Sequence, residues 1–325
     1  VKNKQHVDLA GAAALIGQAN RILFFLHVSP DGDSIGSTLA MVRALRHIGK
    51  QVVAVGVDPV PRIYQYLSGW DSAFTPWQEV EGQWDLACFL DCGDLERIGD
   101  AMPIVGKART TLNVDHHITN GVYGDYNYLD FSAAAVGEMA YLLLRHLGLA
   151  IDPQIAMALY TSIVADTGGF RYDNVTPRTH QIAADLIGAG AKPYEVASAI
   201  FENESLGRLA LLSRALSTLQ VDPSGQIAHM YVSREMLEQV GAGEEDVEGL
   251  VNYARKVSGV EVGLIFRELV DGRIRVGLRS RRTVDVGEIA KQFGGGGHAR
   301  AAGCGFACSI DEARSRVLSA LRTVI

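Results

Sequence analysis

Four apolar runs in this chain end in clusters of carboxylates and imidazoles: His27, Asp31 and Asp33 in HVSPDGDS, Asp91 in FLDCGD, Asp115, His116 and His117 in NVDHH, and Asp166 in VADTGGF. Short apolar runs that alternate with helical patterns are the mark of a parallel sheet buried on both faces. Loops at the carboxyl ends of parallel strands open onto one shared crevice, so the clusters are expected to meet there. Acids and imidazoles gathered in one crevice repel one another and lose hydration unless a cation compensates them. The set therefore reads as a metal site, with more candidate ligands than one ion uses.

The alternation fixes the fold class as α/β. Strands are expected at Arg21 to His27, Gln51 to Val57, Trp84 to Asp91 and Thr110 to His116, and helices at Asp33 to Ile48, Phe131 to Leu147 and Pro153 to Val164. In the first helix Ile35, Leu39, Val42, Leu45 and Ile48 keep near-helical spacing on one face. Asp166 follows the last of these helices, from where its carboxylate can bend back toward the strand tips. Residues 1–190 are thus expected to form a mainly parallel sheet flanked by helices. Pro177 to Leu219 reads as helical with a break at Gly188 to Pro193, and residues 191–222 as a helical linker. Residues 223–325 read as a smaller α+β domain: strands at Gln226 to Val232, Gly259 to Leu269 and Gly272 to Ser280, then a helix, a glycine-rich loop, a short strand and a terminal helix.

Within HVSPDGDS a Pro-Asp-Gly turn brings His27, Asp31 and Asp33 round a tight bend before the helix starts. The competing explanation is that Asp33 or Ser34 simply caps that helix. Repeated polar placement at the other run ends speaks against coincidence. A mixed oxygen and imidazole set suits Mn²⁺, and after it Fe²⁺, Co²⁺, Mg²⁺ or Zn²⁺. Two ions sharing a carboxylate activate water and brace phosphoryl oxygens during in-line displacement, which makes phosphoester hydrolysis the natural reaction class. Cys88 and Cys92, like Cys304 and Cys308, are spaced C-x-x-x-C, but four residues of strand hold the first pair too far apart for one tetrahedral zinc. Reduced, mostly buried thiols are expected instead.

The formal net charge of −7 argues against a partner such as long duplex nucleic acid. Positive charge is nonetheless concentrated late, with seven Lys or Arg against two acids between Gly272 and Arg300. Ile274, Val276 and Leu278 alternate there with Arg273, Arg275, Arg279 and Arg281, so one strand face is core and the other cationic. Arg273 and Arg275 read as a solvated outer face, whereas Arg279 and Arg281 lead toward the glycine loop and read as an anion grip. In that loop Gly295, Gly296 and Gly297 leave backbone N–H groups free to approach an anion, and His298 and Arg300 add donors. Neither a dinucleotide fingerprint nor a Walker lysine is present. No apolar stretch approaches the roughly 18 residues that span a bilayer, and no secretory leader is evident, so a cytoplasmic protein without a membrane partner is expected.

Taken together, the DHH cluster and the late GGGGHARAAG resemble the DHH phosphoesterase family, in the subfamily with the DHH-associated C-terminal domain, over nearly the whole chain. The resemblance implies two divalent metal ions, most naturally Mn²⁺: His27, Asp31 and Asp91 on one, Asp33, Asp91, His116 and Asp166 on the other, with Asp91 bridging. It further implies that His117 faces the scissile phosphate, that Asp115 orients a neighbouring ligand, and that Arg281, His298 and Arg300 hold substrate from across a cleft. The bare length looks most like members that cut short oligoribonucleotides to nucleoside 5′-monophosphates and convert 3′-phosphoadenosine-5′-phosphate (pAp) to AMP and phosphate. Rival readings are a phosphodiesterase for linear or cyclic dinucleotides (pApA, cyclic di-AMP), a pyrophosphatase or exopolyphosphatase, and, from another class, a non-catalytic metal or nucleotide sensor. A homodimer is left open. One departure stands out: where many relatives carry a hydroxyl-rich stretch before a glutamate, this chain has Ser132 followed by Ala133, Ala134, Ala135, Val136 and Gly137 before Glu138.

Overall fold

The computed structural model describes residues 4–325, and the chain divides into two units, one up to Asn203 and one from Glu204 onward. The division falls inside the stretch expected as a separate linker. That stretch has no body of its own: helix Pro193–Phe201 belongs to the first unit and helix Leu206–Ser217 to the second, with a second break at 202–205.

In the first unit seven strands form one parallel sheet: β1 (Gln5–His6), β2 (Arg21–Phe25), β3 (Gln51–Gly56), β4 (Phe74–Pro76), β5 (Trp84–Leu90), β6 (Ala108–Asp115) and β7 (Tyr126–Leu129), in the order β1-β7-β6-β5-β2-β3-β4. Successive residues of β2 go to opposite faces, as strand geometry requires: Ile22 and Phe24 pack under the helices Gly32–His47, Val136–His146 and Pro153–Asp166, while Leu23 and Phe25 join a second core with Ala87 and Phe89. The chain runs outward from β2 through β3 and β4, then returns to β5 on the other side and runs outward through β6 and β7. Strand order therefore reverses between β2 and β5, and a crevice opens at their carboxyl ends.

Helix Gly32–His47 crosses helix Pro153–Asp166 closely because Gly36 lies against it: a Cβ there would stand 2.3 Å from the Ala158 carbonyl oxygen. The helix expected from Phe131 begins only at Val136. Residues 131–135 form turns, in which Asp130 accepts from the Ser132 N–H and the Ala133 N–H reaches the Asp130 carbonyl.

The second unit holds β8 (Gln220–Val221), β9 (Ile227–Val232), β10 (Val262–Glu268), β11 (Ile274–Ser280), β12 (Gly296–His298) and β13 (Ala301–Phe306), in the order β12-β13-β11-β10-β9-β8. Only β9 and β10 pair in parallel. Ile274, Val276 and Leu278 face a core completed by the terminal helix Ile310–Leu321. The glycine segment expected as a loop is in part an edge strand, β12, paired antiparallel with β13. Its glycines serve close approach, since a Cβ on Gly295 would lie 2.2 Å from the Gly303 carbonyl oxygen. All four cysteines are free thiols, three of them buried.

Candidate metal centre

The side chains singled out in the first unit converge on the crevice between β2 and β5. His27 follows β2, Asp91 follows β5, Asp115 ends β6, with His116 and His117 next, and Asp166 ends its helix. Three groups of potential ligand atoms, each lying within 4.8 Å of one another, result: His27 with Asp31 and Asp91, Asp33 with His116 and Asp166, and Asp91 with His116 and His117. The two oxygens of Asp91 face different histidines, Oδ2 lying 3.5 Å from His27 Nε2 and Oδ1 3.7 Å from His116 Nε2. The His116 nitrogen is also 3.8 Å from Asp33 Oδ2 and 3.5 Å from Asp166 Oδ2. Such gaps are too long for hydrogen bonds. Ligand atoms that each sit about 2.0–2.2 Å from a common ion lie roughly 3 to 4 Å from one another.

The tautomers agree with that use. The Nδ1–H of His116 donates to the Ala133 carbonyl at 3.0 Å, which leaves its Nε2 lone pair directed at the carboxylates, while His27 turns Nδ1 toward the Val28 carbonyl at 2.8 Å and Arg97 Nη2 at 2.9 Å and Nε2 toward Asp31 and Asp91. His27 Nε2 is buried with no hydrogen-bond partner among the described residues, an arrangement that costs stability unless a cation takes the lone pair. Asp91 itself adopts φ 58°, a left-handed conformation disfavoured for a residue with a side chain, and holds its carboxylate buried at the strand tip. These residues could hold divalent cations.

The electrostatics carry the same message. Burial, and then repulsion from Asp33, Asp31, Asp166 and Asp115, pushes the Asp91 carboxyl well above the usual carboxylate range. Burial and Asp33 push Asp166 up to about 7. Asp33 is raised chiefly by burial. For Asp31, burial is outweighed by His27 and by the Ser34 N–H, which hold it at about 2. Carboxyl groups so crowded stay ionised near neutral pH only where positive charge is supplied.

The cap of helix Gly32–His47 is Asp31, which accepts from the Asp33 and Ser34 N–H groups, not Asp33 or Ser34. Asp33 is instead held by Val136 N–H at 2.7 Å, Gly137 N–H at 3.0 Å and Ser162 Oγ at 2.5 Å. Residues 133–137 carry no hydroxyl and contribute backbone N–H groups to Asp33, and the hydroxyl that Asp33 accepts from comes from another helix. Beside this group, His117 donates Nδ1–H to Asp115 Oδ1 at 2.8 Å, and Asn120 donates to Asp115 Oδ2 at 2.5 Å. Asn120, Ser162, Asn174, which bridges the Ala134 and Asp166 carbonyls, and Arg97, with Nη2 2.9 Å from His27 Nδ1, escaped the sequence reading. None of the four lies inside the clusters read from the sequence.

In the second unit Arg279, Gly296 and Gly297 line one cavity of about 560 Å³. Gly295, Arg281, His298 and Arg300 are not part of its lining. Arg281 donates to the Arg255 carbonyl and Arg300 to the Val284 carbonyl at 3.0 Å, while His298 is exposed on β12. No helix among the described residues is long and apolar enough to cross a membrane.

Comparison with known proteins gives this geometry a context. Residues 21–163 match the model of the DHH family, N-terminal domain, and residues 224–325 that of the DHHA1 domain. A protein of Thermus thermophilus named bifunctional oligoribonuclease and PAP phosphatase NrnA is 36% identical over 91% of this chain and 87% of its own length. The protein of the same name from Bacillus subtilis is 30% identical, with 93% of this chain and 94% of that relative covered. Among solved structures, an exopolyphosphatase-related protein from Bacteroides fragilis shares the fold at TM-score 0.90 and 24% identity, covering 97% of this chain and 95% of its own.

Proposed function

The chain belongs to the DHH family and carries a DHHA1 domain, and from that premise we propose that it hydrolyses short oligoribonucleotides to nucleoside 5′-monophosphates and pAp to AMP and phosphate. Relatives named for both activities, matched over most of their length, support the substrate class. The observation that carries the chemistry is Asp91, whose two oxygens face His27 and His116 from the middle of a carboxylate cluster. Two divalent ions, Mn²⁺ by the mixed oxygen and imidazole donors, fit the residues present: His27, Asp31 and Asp91 for one, Asp33, Asp91, His116 and Asp166 for the other. Bound there, they supply Lewis acidity to the phosphoryl oxygens and lower the pKa of water.

The chain's own residues do the rest. Asp91 fixes the distance between the two ligand sets. Asp115 holds the His117 ring by its Nδ1–H, so that Nε2 can face the phosphate; with a second proton on Nε2 and Asp115 as counter-charge, the ring donates to the charge that develops as water adds to phosphorus and the P–O bond to the leaving group breaks. The second unit supplies substrate binding through Arg279, Arg281, Gly295, Gly296, Gly297, His298 and Arg300, and the protein works in the cytoplasm. Turnover of pAp, di- to pentaribonucleotides and cyclic di-AMP should be compared with Mn²⁺, Mg²⁺ and Zn²⁺. The expected result is hydrolysis of pAp and of the linear chains, fastest with Mn²⁺. Preferential opening of cyclic di-AMP would replace this reading.

A further inference from the structure

We infer that the second unit carries a further phosphate site, formed by Arg267 and Arg275, which takes a phosphodiester of a ribonucleotide chain beyond the one held at Arg279 and His298. The inference rests on the reading above that this unit binds the substrate. It comes from the register of the sheet. Cα partners across neighbouring strands share a face, so Gly263, Arg279, Ala301 and His298 make one row. Ile265, Gly277, Gly303 and Gly296 make the next row on that face, and Arg267, Arg275 and Gly305 the one after. The middle row offers almost bare backbone across β11, β13 and β12, with cations on both sides of it.

The outer row is unusual in itself. Arg267 and Arg275 are direct partners across β10 and β11, and like charges placed opposite each other destabilise a sheet. Burial, and then Arg275, lowers the Arg267 pKa. Glu244 pairs with Arg267, whose Nε stays buried without a hydrogen-bond partner, whereas Arg275 is exposed and has no ion-pair or hydrogen-bond partner among the described residues. Both line the cavity of about 560 Å³ that also takes in Arg279, Gly277, Gly296 and Gly303. Its remaining charges are Glu244, Glu245 and Glu248, acceptors that suit the hydroxyls of ribose, so the cavity is matched to a ribonucleotide chain and not to a bare polyanion.

Distance selects the ligand. Arg275 and Arg279 are four residues apart on one strand, about 13 Å at 3.3 Å per residue, which is more than one nucleotide step. A pAp molecule has two phosphates, and once one is at the reacting centre only one remains for the second unit. A 5′-phosphorylated dinucleotide is in the same position. Two nucleotide steps cover that distance, so chains of four or more nucleotides have a phosphate left that reaches Arg275.

The test is kcat/KM of the full-length protein for pAp, a 5′-phosphorylated dinucleotide and a pentaribonucleotide, across a salt series, with Arg275→Ala and Arg275→Glu. For the pentamer Arg275→Ala should lower kcat/KM on the order of tenfold, the loss of one charge-assisted contact, and Arg275→Glu should lower it further. The log–log salt slope for the pentamer should become shallower by about 0.7, the value for one phosphate contact on a single strand. For pAp and the dinucleotide, changes should stay within about twofold. The glutamate variant places opposite charges across β10 and β11, so its unfolding midpoint should equal or exceed that of the wild type, separating lost binding from lost fold. Unchanged pentamer kinetics and salt slope, or a loss of equal size for pAp, overturns the second site while the wild-type activities leave the parent reading standing. Absence of wild-type turnover on both pAp and the pentamer overturns the parent reading and the inference with it.

Discussion

Asp91 concentrates the argument at the scale of single residues. It is buried, sits at a left-handed φ, and turns one oxygen to each of two histidines that reach it from different strand tips. Asp91→Asn keeps the volume and removes the charge both ligand sets share. Hydrolysis should fall to background, bound metal measured by elemental analysis should drop, and circular dichroism should be unchanged; near-normal Mn²⁺-dependent turnover would show that Asp91 is not shared. His116 and His117 are neighbours in sequence with different surroundings, one ringed by Asp33, Asp91 and Asp166, the other hydrogen-bonded to Asp115. His116→Ala should therefore lose metal. His117→Ala should keep it and lose kcat by a barrier of about 2 to 4 kcal/mol, the size of a lost donor to developing charge; equal metal loss in the two variants would contradict the division. These residues were legible in the sequence because a carboxylate or imidazole at the end of an apolar run has few other reasons to be there. Asp33 shows the limit: the sequence gives its side chain, but its partners Val136, Gly137 and Ser162 lie more than a hundred residues away, and two of them act through backbone N–H groups that any residue type provides.

Elements decide whether those residues keep their places, and the segment between β7 and helix Val136–His146 does most of this. Its Ala133 carbonyl orients His116, its last turn grips Asp33, and Asn174 ties its Ala134 carbonyl to that of Asp166. Both ends of the segment are fastened to Arg178, which bonds Asp130 Oδ2 at 2.9 Å and the fully buried Glu138 at 2.8 Å, while Thr179 holds the other Glu138 oxygen at 2.6 Å. Arg178→Met keeps the stem and strands the Glu138 carboxylate without its cation. Because Arg178 is partly exposed, the cost should stay toward the low end of what breaking a buried pair carries, about 2 to 3 kcal/mol in urea unfolding. Mn²⁺ affinity should weaken as well, since the turn that aims His116 and Asp33 is loosened. A variant with lowered stability and wild-type Mn²⁺ affinity would assign Arg178 to the fold alone. Periodicity alone extends the helix back to Phe131, because alanines suit a helix; the turn at 131–135 follows from Asp130 bonding to Ser132, a local competition that period counting does not see. The glycines of β12 failed to read as a strand for the opposite reason: glycine disfavours strands in general and is tolerated here by close approach to β13.

At the scale of the molecule the two units differ in what solution conditions do to them, because the crowded carboxyl groups all lie in the first. In metal-free protein Asp166 has its folded pKa raised to about 7 by burial and by Asp33, and Asp91 and Asp33 are raised for the same kind of reason. A carboxyl group whose folded pKa is raised stabilises the native state while protonated, so this contribution is complete below its unfolded pKa near 3.8 and is lost as pH rises through about 7. Asp31, held at about 2, has the opposite sign, and its contribution is lost only as pH falls through that value. Between about pH 4 and 7 the raised group dominates, so the chelator-treated protein should become less stable as pH rises across that window. Divalent metal reverses the slope: it binds the ionised carboxylates, competes with protons for them, and stabilises the folded state more as the pH rises. Amide hydrogen exchange localises the effect. Added Mn²⁺ should protect the tips after β2, β5 and β6 and the turn at 131–137, with the sheet from β8 to β13 exchanging as before. A metal-free protein whose thermal midpoint climbs from pH 4 to 7, or a metal effect spread evenly over both units, would mean that carboxylate repulsion at this crevice is not what metal binding relieves.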